Sequence, residues 1–455
     1  MRSPEHLPSK IHLVGAGGAG MSGLAKILSQ LGHRVSGSDL KPGRALDSLR
    51  DVGVEVWVGH DPDRAISSEL VVASSAVPAR DPELYAAREA GIPVWRRPKL
   101  LGAITEATPT VGLAGTHGKT TSTALAVSVM EGAGLDPSFL VGGEVVGKNT
   151  GAHVGTDDVF VLEADEAFGT FRHISLDAAL VTNIEADHLD YYGTVTAMED
   201  AFAQVVDRVS GPRLACIDDA GVKRLAMRSD ITTYGFDQDA DWVISGLAHE
   251  GGRSSFRLDG PTTHLEVMLP KPGIHLASNA AGVLALLVEL GHDPEGLAEG
   301  LSTFAGVRRR YEVRAMINGI TIVDDYAHHP TEVEATIAAT RLGGEGRVVA
   351  VFQPHRYSRT ADLGPQFGEP LALADLVVVN DVYAAGERPI IGVSGRLVAQ
   401  AAEAAGASVT YVPKLADVTS LLVPQLREGD TVLLLGAGDV TTLAPALAAA
   451  IGDEP

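Results

Sequence analysis

The 455-residue chain contains one cysteine, Cys216. A single thiol cannot close an intramolecular disulfide, so the fold must hold without covalent staples, which suits a reducing compartment. Nothing beside Cys216 in the sequence marks it as a nucleophile. Long apolar runs are missing too: no stretch approaches about 18 apolar residues, so no membrane-spanning helix is expected. The opening Met1–Lys10 lacks the apolar core of a signal peptide, and the cytoplasm is the expected location. Basic clusters are scarce. Lys and Arg number 36 against 58 Asp and Glu, a formal net charge of −22. No Lys/Arg-dense run could track a phosphate backbone, which argues against nucleic acid as a general partner. A small phosphorylated ligand stays open, because a loop of N–H groups binds phosphate even in an acidic protein.

The chain is too long for one core, and roughly two to four domains are expected. Apolar residues make up 45% and charged ones 21%, an ordinary balance for a soluble globular protein. From 1 to 108, short apolar strands alternate with helical patterns, which implies βαβ units and a parallel sheet. From 109 to 312 the pattern continues, then changes near Asp241. Trp242–Leu247, Ser254–Leu258 and His264–Leu269, separated by glycine turns, suggest an antiparallel meander at a sheet edge. From 313 to 455 the alternation returns. The expected class is α/β in three domains: a Rossmann-like N-terminal domain, a central P-loop ATPase-type domain with a mixed sheet, and a C-terminal Rossmann-like domain.

The most informative segment is Thr110-Val-Gly-Leu-Ala-Gly-Thr-His-Gly-Lys-Thr-Thr-Ser122. It reads as a buried strand, a glycine turn at Gly115, and a helix opening at Lys119 and running to about Gly132. Such a turn aims N–H groups at a phosphate, with the positive end of the helix behind them. Lys119 would reach the β- and γ-phosphates of ATP, and the Thr120 hydroxyl would ligate Mg²⁺. The spacing departs from the usual one, since Leu113 stands where a first glycine is common.

A second glycine loop, Gly15-Ala-Gly-Gly-Ala-Gly20, follows a strand, opens a helix, and has Asp39 nineteen residues on. This pattern is specific for a diphosphate and not for what the diphosphate carries: NAD, FAD and a UDP-sugar all qualify. Two further clusters, Glu163-Ala-Asp-Glu166 and Asn183-Ile-Glu-Ala-Asp-His188, follow strands, at the carboxyl ends where open parallel sheets bind ligands. A carboxylate and a histidine placed there could face Thr120 and hold Mg²⁺.

Four motifs occur in the order found in Mur ligases: Gly115–Thr121, Glu163–Glu166, Thr182–Asp190 (Thr-Asn-Ile-Glu-Ala-Asp-His-Leu-Asp) and Gly273–Ala280 (Gly-Ile-His-Leu-Ala-Ser-Asn-Ala). Gly15–Gly23, Asp324–Glu332, Phe352–Thr360 and Asp381–Glu387 resemble the alanine-adding branch of that family. The resemblance covers nearly the whole chain. It implies an ATP-dependent ligase that joins L-alanine to UDP-N-acetylmuramate in cell-wall synthesis. A monomer or homodimer is expected. It implies that Gly15, Gly17, Gly18, Gly20, Met21 and Ser22 hold the UDP-sugar, with Asp39, Ser74 and Ser75 near the uridine. Gly115, Thr116, His117, Gly118, Lys119, Thr120 and Thr121 would hold the ATP phosphates, Arg310 would lie near them, and His275 and Asn279 near the adenine. Thr120, Glu163 and His188 would be the metal ligands. Tyr326, His328, His355, Arg356, Arg359 and Tyr383 would face the amino acid and the reacting carboxylate. Lys119, His188, His328 and Arg310 carry the catalytic expectation, with His188 or His328 accepting the proton of the amine.

The chain also departs from its apparent siblings. Ala167-Phe168-Gly169 follows Glu166 where Ser-Asp is frequent, and no lysine lies between Lys148 and Lys223 to be carbamylated as a metal ligand. Of Arg308-Arg309-Arg310, only Arg310 is expected to function, the others forming a solvated cluster. Three alternatives remain open: a recycling ligase adding an intact tripeptide to the same UDP-sugar, an NAD-dependent dehydrogenase, and an ATP-hydrolysing binding module.

Overall fold

The structure is a computed structural model and describes residues 1–344 and 346–452. It contains three sheets. The first is built from β1 (Lys10–Val14), β2 (Arg34–Asp39), β3 (Glu55–Val58), β4 (Leu70–Ala73) and β5 (Val94–Arg96), in the order β3-β2-β1-β4-β5 with every pair parallel. The order reverses between β1 and β4, which opens a crevice at the strand ends where Gly15 and Ser74 lie.

The second sheet has ten strands: β6 (Thr110–Ala114), β7 (Ser138–Val145), β8 (Thr150–His153), β9 (Phe160–Glu163), β10 (Ala178–Val181), β11 (Arg213–Cys216), β12 (Thr232–Gly235), β13 (Trp242–Glu250), β14 (Arg253–Asp259) and β15 (His264–Leu269). Their order is β15-β14-β13-β12-β11-β10-β6-β9-β7-β8, so β6 sits between β10 and β9 and carries the phosphate loop at its exit. All five residues of β6 are buried, as a strand covered on both faces requires. The sheet is mixed, because β8 runs antiparallel to β7.

The third sheet comprises β16 (Glu312–Ile317), β17 (Ile320–Asp325), β18 (Val348–Phe352), β19 (Leu376–Val379), β20 (Val409–Tyr411) and β21 (Thr431–Leu435), ordered β16-β17-β21-β18-β19-β20. Successive residues face opposite sides of a strand. Val323, Ala350, Phe352 and Leu433 accordingly join one buried cluster, while Ile322, Val349, Val351 and Leu434 join another.

By compactness the chain divides into two units. One holds 1–246, 257–267 and 278–305; the other holds 247–256, 268–277 and the chain from Gly306. In the first unit, a single apolar cluster runs from Leu13 and Leu24 of the first sheet region to Leu140, Phe160 and Phe202 of the second. No helix among the described residues is long and apolar enough to cross a membrane.

Candidate active site

The phosphate loop is shaped by two left-handed glycines, Gly115 (φ 129°) and Gly118 (φ 82°). It is braced from the end of β10. The Thr116 N–H donates to the Asn183 carbonyl at 3.0 Å, and the His117 N–H donates to Asn183 Oδ1 at 2.7 Å. The Thr182 hydroxyl and Asn183 Nδ2 donate to the His117 carbonyl, at 2.6 and 3.1 Å. The N–H groups of Thr116 and His117 are therefore turned to Asn183 in the segment after β10, unlike the sequence expectation that they cradle phosphate. Their physical role here is to lock the loop. The helix Lys119–Gly132 begins directly behind it, and Asn279 lies against Gly118, where an added Cβ would meet its side-chain amide at 3.0 Å.

Lys119 is folded back. Its ammonium donates to the carbonyls of Gly115 (2.6 Å) and Thr116 (3.0 Å) and pairs with Glu166 at 2.7 Å. Burial opposes its charge, but Glu166, Asp165 and Glu163 outweigh it and raise its affinity for the proton. The Thr120 hydroxyl donates to Glu163 Oε1 at 3.1 Å, while Glu163 Oε2 accepts the Gly142 N–H at 2.7 Å. His188, itself left-handed (φ 54°), brings Nε2 to 3.8 Å from Glu166 Oε1. Thr120, Glu163, Glu166 and His188 are thus gathered beside Lys119. A hydroxyl, carboxylates and an imidazole suit a hard divalent cation. Phe168 (φ 53°) and Gly169 (φ 64°) kink the loop after Glu166 and present Phe168, 59% exposed, edge-on to Tyr191.

At the first glycine loop, the Gly17 N–H donates to Asp39 Oδ2 at 2.9 Å, tying the end of β2 to the loop. Gly15, Gly18, Asp39 and Ser74 line a cavity of about 320 Å³ together with His60 and Asp81. Gly17 and Ser22 line a second of about 210 Å³ with Lys26, Arg44, Gly142 and Gly143. Met21 is different: its side chain is in the core at 2% exposure, so only its backbone faces the loop. Gly20 abuts the Arg97 guanidinium, which donates to Asp165 Oδ2 at 3.3 Å. Ser75 is exposed and borders neither cavity.

In the second unit, Tyr326, His328, His355 and Tyr383 form a chain of rings past the carboxyl ends of β17 and β18. Their centroids are 5.2, 6.0 and 5.7 Å apart. Arg310 lies over the Tyr326 ring at 5.0 Å. His328 Nδ1 donates to the Tyr326 carbonyl at 2.9 Å, which leaves Nε2 as the acceptor. Burial, with Arg359 and Arg310 adding to it against Glu332, pushes His328 down to about 4. His355 falls to about 4 for the same leading reason, with His328, Arg359 and Arg356 adding to it. Both are neutral at pH 7, and so weak a base has little driving force to take a proton from an ammonium. Arg356 (φ 72°) is clamped by Glu387 at 2.6 Å, and Glu387 also accepts from the N–H and hydroxyl of Ser358. Burial alone would raise Glu387; these bonds hold it at about 2. His275 lies one turn before Asn279 on the helix Ile274–Glu289, and burial lowers it to about 4.

Arg309 corrects the reading of a solvated arginine run. Its guanidinium donates to the carbonyls of Gly436 and Gly438 and lies 3.6 Å from Asp324, which is fully buried. Sequence reasoning also missed the parts played by Glu166, Asn183, Arg97 and Glu387. Glu166, Asn183 and Glu387 sit within recognised motifs and Arg97 in none, and each has its partner 31 to 68 residues away.

Three family models match the chain in sequence: "Mur ligase family, catalytic domain" over 10–108, "Mur ligase middle domain" over 113–287 and "Mur ligase, glutamate ligase domain" over 309–438. The chain is 45% identical to the UDP-N-acetylmuramate–L-alanine ligase of Kineococcus radiotolerans, over 96% of this chain and 95% of that one. It is 42% identical to the ligase of the same name from a Mycobacterium species, over 97% and 95%. Among solved structures, the UDP-N-acetylmuramate-alanine ligase of Thermotoga maritima superposes with a TM-score of 0.84 at 27% identity, covering 97% of this chain and 98% of that one.

Proposed function

The chain belongs to the Mur ligase family, and from that premise we propose that it joins L-alanine to the lactyl carboxylate of UDP-N-acetylmuramate in peptidoglycan synthesis. ATP is the co-substrate and ADP and phosphate are the by-products. The observation that carries this reading is the placing of Lys119 and His188 against Glu166 and of Thr120 against Glu163 at the exit of β6, in one compact unit with a diphosphate-type glycine loop. Relatives of the same name across nearly the full length support the choice of acid and amine.

A carboxylate is a poor acyl donor because its leaving group is poor. Transfer of the γ-phosphoryl group of ATP to the lactyl carboxylate replaces that group with phosphate. The alanine amine then attacks the acyl carbon, phosphate leaves, and a proton is lost from nitrogen. Lys119 neutralises charge on the transferring group. Thr120, Glu163 and His188 would hold Mg²⁺, which when bound screens the phosphate oxygens. The first glycine loop and the cavity beside Asp39 and Ser74 bind the UDP moiety, Arg310 lies near the ATP phosphates, and His328, Arg356 and Arg359 orient the amino acid and the reacting carboxylate. Residues 1–108, 109–312 and 313–455 are assigned to the UDP-sugar, ATP and amino acid respectively. The reaction is assigned to the cytoplasm, where ATP is available.

Phosphate release by the purified protein with UDP-N-acetylmuramate, ATP and Mg²⁺ should require L-alanine. Lys119→Ala should abolish release while leaving UDP-N-acetylmuramate binding intact. Release that ignores the UDP-sugar, or that responds to a tripeptide and not to alanine, would overturn the assignment.

A further inference from the structure

Glu166 has no role in the reaction outlined above, yet it is the most deeply buried acid next to the phosphate loop, at 1% exposure. We propose that Glu166 is a positioning residue: it occupies Lys119 while the nucleotide is absent, and it makes entry of the ATP phosphates conditional on a divalent cation. This rests on the reading of Gly115–Thr121 as the ATP site.

The argument is one of donors and charge. A lysine ammonium has three N–H donors. In this structure they meet the Gly115 carbonyl, the Thr116 carbonyl and the Glu166 carboxylate, at 2.6, 3.0 and 2.8 Å. A phosphate can reach Lys119 only by displacing one of these. The two carbonyls belong to the loop that must hold its shape, so the partner that yields is Glu166. The loop backbone need not move, because the Tyr192 hydroxyl donates to the Glu166 carbonyl at 2.6 Å and fixes the main chain independently of the carboxylate.

Release leaves a problem behind. Glu163, Asp165 and Glu166 all bear on Lys119 electrostatically. Once the ammonium turns to phosphate, a buried carboxylate stands without its counter-ion, beside two more carboxylates and an incoming polyphosphate. A divalent cation held near Thr120 and Glu163 supplies the missing positive charge. Glu166 therefore couples the two ligands: without the cation the nucleotide competes with it for Lys119, and with the cation it does not.

The test is calorimetric titration of the full chain with ADP, in EDTA and in Mg²⁺, for the wild type and Glu166→Gln. The amide keeps the size and one acceptor but removes the charge. The expected result is metal-free ADP affinity about tenfold or more above wild type in the variant, and a correspondingly smaller gain on adding Mg²⁺. Equal metal-free affinities in the two proteins, each with a cooperative melt, would overturn the proposal. Should Glu166→Gln fail to fold, Glu166→Asp, which withdraws the carboxylate by one methylene, must show the same trend at smaller size; no trend would refute it. Absence of ADP binding in the wild type with Mg²⁺ would instead strike at the ATP-site reading itself.

Discussion

His328 illustrates how a single side chain can be brought into a site and chemically silenced by it. Its ordinary value of 6.5 falls to about 4, chiefly through burial. A histidine lowered in the folded state contributes stability that is present above 6.5 and lost as the pH drops through 4, because the unfolded chain takes up the proton first. The full loss over that window is at most about 3.5 kcal/mol, at roughly 1.4 kcal/mol per pH unit. Urea midpoints between pH 7 and 4 should fall with acidification, and less steeply in His328→Gln; parallel curves would contradict the assignment. Glu387 behaves in the opposite way. Held at about 2, it stays ionised across that whole window and keeps its grip on Arg356. Glu387→Ala should cost about 1–3 kcal/mol in chemical denaturation, since it strips a charged acceptor from one guanidinium, one N–H and one hydroxyl. It should also raise the KM for L-alanine more than it lowers kcat, with Glu387→Gln partly restoring it.

At the scale of elements, the phosphate loop makes the sharpest demand. A Cβ on Gly115 would fall on the Thr182 hydroxyl, at a φ of 129° that side chains avoid. Gly134 also has a positive φ, 86°, but nothing lies within 4 Å of its added Cβ. Gly134→Ala should therefore cost only backbone strain, about 1 kcal/mol, and Gly115→Ala should cost at least about 2 kcal/mol more, with loss of nucleotide binding. Denaturation curves of the two variants test this, and equal shifts would show that the collision is relieved cheaply. The loop was legible in the sequence because strand, glycine turn and helix are local signals. So were β1, β6 and β21, short and largely apolar runs bounded by turns. Five strands were not. β5 has three residues, and β7 and β8 are interrupted by glycines and joined by a bulged, antiparallel register. β12 and β16 alternate weakly, and β16 falls where a domain junction was read. The pairing of Lys119 with Glu166 was likewise unreadable, because 47 residues separate the partners and only the packing of β6 against β9 brings them together.

For the whole molecule the governing quantity is charge. Both nucleotides are polyanions, and the chain carries a formal net charge of −22. Two effects compete in the approach of such a ligand. The long-range field of the protein repels it, with a reach set by a Debye length of about 30 Å at 0.01 M salt and about 8 Å at 0.15 M. The local donors of each glycine loop attract it, at contact distances that salt screens far less. Around Lys119 the near field is itself acidic, since Glu163, Asp165 and Glu166 surround one ammonium. Repulsion should therefore dominate the encounter, and raising the ionic strength should speed it. The association rate of UDP-N-acetylmuramate, measured by stopped flow without Mg²⁺, is expected to rise a few-fold between 0.01 and 0.15 M salt, opposite to the fall seen when a basic surface steers an anion. A falling rate would mean that Lys26, Lys41, Arg44 and Arg97, cations beside the first glycine loop, focus the ligand strongly enough to overcome the rest of the surface.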